Sequence, residues 1–290
     1  MPAFLLRVPD HLGDGVMAIP AVRAISALGA VQIVGPHWAS RLYGTPTADY
    51  AHPKTAVLFK PSFSAAWSHR HATRRVGTAG DWRRWLLTDV VPRPEGHRSK
   101  TYAALAAHVG ASSDLATETP TLIPTKAESE AAPKVNADSI LLLPLSKSQA
   151  TVGWPHFRAL ADALNGRAVF AAGPGECVAL AAIAGPHRCL PPLPVGQFAA
   201  VSTQVSAVVG NDSGLAHLAQ AARHGAGQPS ASVHVIFGST SPEQTGPSGC
   251  TAHQRTALPC QPCYKKSCTR DSAHSPCLDV SVSVLLDALR

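Results

Sequence analysis

The chain has 290 residues and a formal net charge of +7, from 25 Lys and Arg against 18 Asp and Glu, with 14 His besides. This length suffices for two ordinary domains or one large one, and the hydrophobic fraction of 45% can supply a sizeable core. No apolar run approaches the roughly 20 residues of a membrane span. The basic balance favours anionic partners. Aromatic residues make up only 6% and are not interleaved with basic ones as in single-strand binding, so we expect small phosphorylated ligands and no nucleic acid.

The first part of the chain follows the order strand, turn, helix, strand, which is typical of a parallel α/β sheet. The start, MPAFLLRVPD, lacks the basic segment of a signal peptide, so we expect a cytoplasmic protein. The predicted elements are a strand at 3–8, a turn at 10–15, a helix at 16–28, strands at 30–35 and 55–59, and a helix at 99–111.

A second α/β cycle follows residues 119–139, which are rich in Pro, Ala and charge and are predicted to link two domains. We therefore expect an N-terminal domain of residues 1–130 and a C-terminal domain of residues 131–290. The architecture that accounts for both cycles is two parallel sheets that face each other over a cleft, with ligands at the carboxyl ends of strands. The predicted elements are strands at 140–145, 167–176, 204–212 and 232–240, and helices at 154–166, 177–185, 213–225 and 282–289.

Asp14 lies in HLGDG, between the first strand and the first helix. One interpretation is an N-cap, because a carboxylate accepts the free N–H groups of a first turn. The other is a general base that takes a proton from a sugar hydroxyl. The spacing alone favours the cap.

Three segments after strands of the second half offer donors and close backbone approach to an anionic ligand. Each also fits a turn, a solvated loop or local packing, so their functional interpretation stays open. The candidate residues are Ser146, Lys147 and Ser148 for a pyrophosphate, Gly173 and Glu176 for a ribose, and Asp212, Ser213, Gly214 and His217 where a helix begins.

Cysteines and arginines form two further clusters. Cys260, Cys263, Cys268 and Cys277 are spaced C-x2-C-x4-C-x8-C, which leaves a structural zinc, reduced thiols and a redox-labile disulfide pair open. The Arg-rich stretch at 69–98, which includes Arg74 and Arg75, is either a solvated face or a dock for a phosphorylated or carboxylated acceptor.

Taken together, six segments resemble the family 9 glycosyltransferases, the ADP-heptose:lipopolysaccharide heptosyltransferases. They occur in the family's order, and the resemblance spans nearly the whole chain. The segments are RVPDHLGDGVMAIPAVRAI, HATRRVG with WLLTDVV, GWPHFRALADAL, VVGNDSGLAHLAQAA, VIFGSTSPEQTGP and CQPCYKKSC.

The resemblance implies a GT-B fold, in which two Rossmann-like domains face a central cleft, and sugar transfer with inversion and without a metal or other cofactor. It implies a nucleotide-sugar donor such as ADP-heptose, an anionic glycolipid or glycan acceptor, and peripheral contact with the inner-membrane surface. The implied roles are Asp14 as base, the 146–148 loop with Ser213 and Gly214 on the diphosphate, Gly173 and Glu176 at the ribose, Asp212 and His217 at the sugar, and Arg74 and Arg75 on the acceptor.

Two departures from the family pattern keep other functions open. Val152 and Gly153 stand where the family commonly has a Lys before Trp-Pro, so that role is vacant or passes to Lys147, and 290 residues is short for the family. The alternatives are a nucleotide-sugar epimerase or hydrolase of the same fold and a non-catalytic nucleotide-sugar-binding homologue.

Overall fold

The computed structural model describes residues 3–44, 53–147, 153–255, 258–268 and 275–290, except for the side chain of Ser230. The chain divides into two compact units, Met1–Pro120 and Thr121–Arg290. Each unit has its own parallel sheet and its own hydrophobic core. Among the described residues, no helix has the length and apolar character to cross a membrane.

The first unit contains a five-stranded parallel sheet of order β2-β1-β3-β4-β5. Its strands are β1 (Ala3–Arg7), β2 (Ala30–Val34), β3 (Thr55–Leu58), β4 (Arg74–Thr78) and β5 (Asp89–Val91). Its helices are α1 (Leu12–Met17), α2 (Ile19–Ser26), α3 (Ala39–Tyr43), α4 (Phe63–Ser68), α5 (Ser99–His108) and α6 (Ser113–Ala116), with a 3-10 helix at Arg83–Leu86.

β1 is buried because its alternating side chains meet a core on both faces of the sheet. Phe4 and Leu6 join the cluster that includes helices α2 and α5, whereas Leu5 packs with Ala56 and Leu58 on the other face. An apolar run without polar alternation is typical of such a doubly covered strand.

The helix predicted at 16–28 begins earlier and is divided. α1 begins at Leu12, so the prediction of a turn over the whole of 10–15 is wrong. Ala18 separates α1 from α2, and Pro20 lies at the start of α2, where its missing N–H leaves no helical hydrogen bond unmade. The first helix therefore carries Asp14 within it.

The second unit contains a six-stranded parallel sheet of order β11-β10-β9-β6-β7-β8. Its strands are β6 (Ile140–Leu143), β7 (Ala168–Phe170), β8 (Arg188–Cys189), β9 (Ala207–Asn211), β10 (Val233–Phe237) and β11 (Thr251–Gln254). Its helices are α7 (Lys126–Ala131), α8 (Phe157–Ala163), α9 (Cys177–Ala184), α10 (Val195–Gln204), α11 (Gly214–Gly225), α12 (Pro242–Thr245) and α13 (Val282–Ala288), with 3-10 helices at Ser230–Ser232 and Pro276–Leu278.

Trp154 fastens the end of the chain to the core of the second unit. Its ring is 2% exposed and packs edge-on against Phe157, the first residue of α8. Its indole Nε1–H donates to the carbonyl of Val280 at 2.9 Å, just before α13. The buried N–H thus has its partner, and α13 is held against the helix that follows the Trp-Pro pair.

Candidate functional site

The strand order of each sheet marks one place where a ligand is expected. In the first sheet β1 lies between β2 and β3, and in the second β6 lies between β7 and β9. Later strands are therefore added on the other side of β1 and of β6, so the strand order reverses there. Ligands of open α/β sheets bind outside the carboxyl ends of the strands at such a switch point. Counted from β6, the second sheet has the order 3-2-1-4-5-6 of dinucleotide-binding sheets.

Asp14 lies at the switch point of the first sheet but does not cap its helix. The N-cap of α1 is His11, whose side chain makes no capping bond, and Asp14 is the third residue of the helix. The interpretation of Asp14 as an N-cap is therefore wrong. Its carboxylate, 14% exposed, accepts a hydrogen bond from Arg98 Nη1 at 2.8 Å.

Tight packing holds the backbone around Asp14. A Cβ on Gly15 would lie 2.5 Å from the ring of Trp38, and the hydroxyl of Tyr43 donates to the Gly15 carbonyl at 2.8 Å. Burial, with the charge of Asp14 as a further cause, raises the pKa of Tyr43 and of Tyr102 far above its usual range. Asp14 therefore faces phenols that stay neutral at physiological pH.

A second carboxylate lies at the same edge of the sheet. Asp10 pairs with Arg7 at 2.6 Å and with Lys60, the second residue after β3, at 2.5 Å. Burial opposes ionisation of Asp10, but the hydrogen bonds from Lys60 and Arg7 outweigh it and lower its pKa. The sequence predictions missed Lys60. Its position just after a buried strand, where ligands of parallel sheets bind, could have indicated it as a candidate.

Arg74 and Arg75 lie at the amino ends of the strands of the first sheet, whereas Asp14 lies at the carboxyl ends. They begin β4, in register with the start of β3, whereas Asp14 follows the end of β1. Arg74 pairs with Asp89 at 2.9 Å, and Arg75 donates to the carbonyl of Leu86 at 2.6 Å. The structure does not bring these two residues to Asp14, so acceptor binding by them stays a prediction; Lys60 and Arg98 are cations at the edge that carries Asp14.

Asn211, the last residue of β9, joins the two strands of the second switch point. Its side chain is fully buried; Nδ2 donates to the carbonyl of Pro144 after β6 at 2.5 Å, and Oδ1 accepts the N–H of Trp154 at 3.0 Å. The sequence predictions missed this residue, although a buried amide at the end of an apolar strand requires such partners.

The segment after Asn211 brings four predicted residues together. Ser213 is the N-cap of α11, because its hydroxyl accepts the N–H of Ala216 at 3.4 Å. Asp212 accepts a hydrogen bond from Thr245 Oγ1 at 3.2 Å and lies 4.0 Å from His217 Nε2. The first-turn N–H groups of Gly214 and Leu215 are those that an α-helix leaves for a ligand.

Two further loops lie at the carboxyl edge of the second sheet. After β7, the Glu176 carboxylate accepts the N–H of Gly173 at 2.8 Å, and Gly175 has a φ of +82° that favours glycine. After β6, Ser146 is half-buried and Lys147 is exposed. Ser148 and Val152 lie outside the described residues.

Thr240 adds a feature that the sequence predictions did not single out. It follows β10, next to β9 in the sheet. Its Oγ1 is buried and has no hydrogen-bond partner among the described residues. A buried hydroxyl without a partner is costly, so its place at this edge is consistent with a partner supplied by a ligand.

The cysteines at 260, 263, 268 and 277 line one pocket together with Ser239. Burial, with the three neighbouring thiols as further causes, raises the pKa of Cys277 to about 11. Within the described ranges, no three His, Cys, Asp or Glu side chains are arranged to hold a metal ion. Of the three predictions for this cluster, zinc therefore requires the thiols to move closer together.

Comparison with known proteins identifies the family. Residues 55–274 match the model of glycosyltransferase family 9 (heptosyltransferase). The chain belongs to glycosyltransferase family 9. The resemblance carried by the six sequence segments is thereby confirmed.

Solved structures of this family share the fold of the chain. E. coli ADP-heptose LPS heptosyltransferase II is 19% identical, with a TM-score of 0.73 over 100% of this chain and 97% of that one. A glycosyltransferase family 9 protein from Veillonella parvula is 14% identical, with a TM-score of 0.76 over 99% and 96%. E. coli heptosyltransferase WaaC with ADP is 17% identical, with a TM-score of 0.62 over 87% and 92%. No curated protein sequence matches the chain. The predicted fold class, GT-B with two parallel-sheet α/β domains, is confirmed.

Proposed function

We propose that this family 9 glycosyltransferase is an inverting enzyme that moves heptose from ADP-heptose to a lipopolysaccharide-core or other cell-envelope glycan, with Asp14 as general base. The observation that carries the proposal is the placement of Asp14 at a switch point, paired with Arg98 and not used as a cap. The similarity in fold to a heptosyltransferase from E. coli supports the choice of donor and acceptor.

Asp14 activates the acceptor in this mechanism. Its carboxylate takes the proton of an acceptor hydroxyl, and the oxygen forms a bond to the anomeric carbon of the donor sugar. The bond from that carbon to the diphosphate breaks, and ADP leaves with the electron pair. A single displacement inverts the anomeric carbon. Arg98 holds one oxygen of Asp14 at 2.8 Å and thus orients the other.

The second unit stabilises the leaving ADP. The diphosphate accepts hydrogen bonds from Gly214 and Leu215 at the amino end of α11, where the helix dipole favours negative charge. Lys147 takes the place of the Lys that the family commonly has before Trp-Pro. Glu176 binds the ribose hydroxyls, and Asp212 and His217 contact the sugar. These groups replace a metal ion, so no cofactor takes part in the reaction.

The substitution D14N tests this role. We expect transfer to fall about 10²- to 10⁴-fold, since an amide does not accept the acceptor proton. Donor affinity, measured by calorimetry, stays at the parent value because the donor is held by the second unit. D10N is the matched control, because Asp10 is held by Arg7 and Lys60 at the same edge.

Three outcomes would contradict the proposal, and two of them point to the alternative functions. Unchanged transfer by D14N shows that Asp14 is not the base. Conversion of the donor sugar without any acceptor indicates an epimerase or hydrolase instead. Donor binding by the parent without turnover on any acceptor indicates a non-catalytic homologue.

A further inference from the structure

The proposed function gives no role to residues 258–268, which we call the cysteine loop. This loop is attached to the chain just after β10. The backbone N–H groups of Cys263 and Tyr264 both donate to the carbonyl of Ser239, at 3.0 and 2.9 Å. The side chain of Gln261 donates to the carbonyl of the residue before Ser239 at 2.7 Å. Backbone and amide groups, and not the thiols, make this attachment.

Tyr264 also contacts α12, the short helix that follows β10. Its hydroxyl donates to Gln244 Oε1 at 2.6 Å. Tyr264 has a left-handed φ of 54°, which is unusual for a bulky residue and costs free energy. Because the ring is 44% exposed, burial does not account for this conformation. The contacts with Ser239 and Gln244 hold it instead.

α12 depends on its surroundings for its position. A helix of four residues is not stable by itself in water. Its four residues are all described, none of them is buried, and no side chain caps its first turn. At its carboxyl end the chain is tightly packed, because a Cβ on Gly246 would lie 2.6 Å from the carbonyl oxygen of Pro242. Contacts from outside the helix therefore decide where its side chains lie.

α12 also reaches Asp212, the predicted contact of the donor sugar. Thr245, the residue after Gln244, donates from Oγ1 to Asp212 Oδ2 at 3.2 Å. The other carboxylate oxygen, Oδ1, lies 4.0 Å from His217 Nε2, and the Asp212 side chain is 11% exposed. Two side-chain hydrogen bonds, made by neighbouring residues of one helical turn, thus connect Tyr264 to Asp212.

We propose that Tyr264 is a positioning residue for the donor sugar. Through Gln244 it holds α12, and Thr245 of that helix holds Oδ2 of Asp212, so that Oδ1 is oriented toward a sugar hydroxyl. A carboxylate that is already oriented loses less conformational freedom when the sugar binds. The inference rests on the proposed contact of Asp212 with the donor sugar. It assigns Tyr264 to the sugar part of the nucleotide sugar and not to the nucleotide part.

Calorimetry with ADP-heptose and with ADP, in the absence of acceptor, tests the proposal. Y264F removes the hydroxyl that bonds Gln244. We expect the affinity for ADP-heptose to fall about fivefold, as for the loss of one ordinary hydrogen bond, while the affinity for ADP stays at the parent value. The KM for the donor should rise by a similar factor, with kcat and the acceptor KM unchanged. S267A is the matched control, because it removes a hydroxyl from an exposed residue of the same loop.

A double-mutant cycle tests the path through Gln244. Because Y264F and Q244M remove the same hydrogen bond, the double variant should lose no more affinity for ADP-heptose than either single variant. Hydrogen exchange without any ligand measures the effect on α12 alone. The N–H groups of Thr245 and Gly246 donate to the carbonyls of Ser241 and Pro242, and they should exchange faster in Y264F than in the parent or S267A.

The outcomes separate this inference from the proposed function. Unchanged exchange in α12 of Y264F overturns the inference whatever the donor is. Equal affinity of Y264F and the parent for ADP-heptose, an equal loss for ADP and ADP-heptose, or additive losses in the cycle also overturn it. A parent protein that binds ADP but not ADP-heptose contradicts the proposed donor instead.

Discussion

Thr240 lies just before α12 and Thr245 is the last residue of that helix, and the two hydroxyls have different surroundings. Thr245 Oγ1 donates to Asp212 at 3.2 Å and also contacts the carbonyl of Ser241 at 3.1 Å. Thr240 Oγ1 is buried without a partner among the described residues. The first hydroxyl stabilises the protein itself, whereas the second costs stability until something binds it.

The two Thr→Val substitutions should therefore act in opposite ways. T240V leaves the free energy of unfolding unchanged or raises it, and it weakens ADP binding because a ligand partner is lost. T245V lowers the free energy of unfolding by about 1 kcal/mol, since the Asp212 carboxylate loses a partner. Chemical denaturation and calorimetry with ADP measure both effects. Destabilisation by T240V with full ADP affinity would show that Thr240 has only a structural role.

At the scale of elements, regular apolar patterns predicted the helices and strands that pack on the core. They did not predict elements whose polar side chains are buried with hydrogen-bond partners. The helix predicted at 213–225 is α11, Gly214–Gly225. β4 was not predicted, because it begins with two arginines whose side chains are satisfied by Asp89 and by backbone carbonyls. α10 was not predicted either, although it packs against α11. Burial of a polar strand depends on partners that periodicity does not show.

The neighbouring strands β10 and β11 place two buried histidines together. His234 Nδ1 and His253 Nε2 are 3.1 Å apart, and the rings stack at 5.3 Å. Burial, with the neighbouring His253 as a further cause, lowers the pKa of His234 to about 4, and burial lowers the pKa of His253 as well. The folded protein thus keeps the pair neutral at a pH where the unfolded chain is protonated.

This strand pair should make stability sensitive to acid. Between about pH 6.5, the usual histidine pKa, and pH 4, the unfolded chain binds more protons, so the free energy of unfolding falls as the pH falls. The contribution is on the order of 3 kcal/mol for His234 and levels off below its folded pKa. H234Q should flatten the pH dependence in this range, and H71Q, at an exposed site, should not. Denaturation curves with the same slope in H234Q and the parent would contradict the assignment.

At the scale of the whole molecule, the chain builds two α/β units and places a switch point in each. The second unit also closes a pocket with cysteines from segments on both sides of residues 269–274, beside Ser239 after β10. A metal held there would join these segments and stabilise the second unit selectively. A structural zinc, reduced thiols and a redox-labile disulfide pair stay the three predictions for this pocket, and zinc requires the four thiols to move closer together and to release their protons.

Metal analysis of the purified chain decides among these three predictions. Bound zinc predicts one ion per chain, lost in C260S/C263S and retained in C177S/C189S, whose cysteines are exposed elsewhere. Chelation should lower the unfolding temperature of the second unit and, because metal binding displaces thiol protons, should act more easily at low pH. Protein free of metal with an unchanged melting temperature in C260S/C263S would leave the cysteines as reduced thiols.

The sequence by itself determined the α/β class, the two cycles of strands and helices, and the family, because apolar periodicity and short motifs are local properties. It also predicts donor-binding residues after β6, β7 and β9, and their binding role stays a prediction. Only the tertiary structure showed which groups these site residues contact. Arg98 reaches Asp14 from 84 positions along the chain. Asn211 joins Pro144 to Trp154, and Arg74 lies at the opposite edge from the predicted base. These contacts depend on strand order and register, which the folded core sets through residues far apart in sequence.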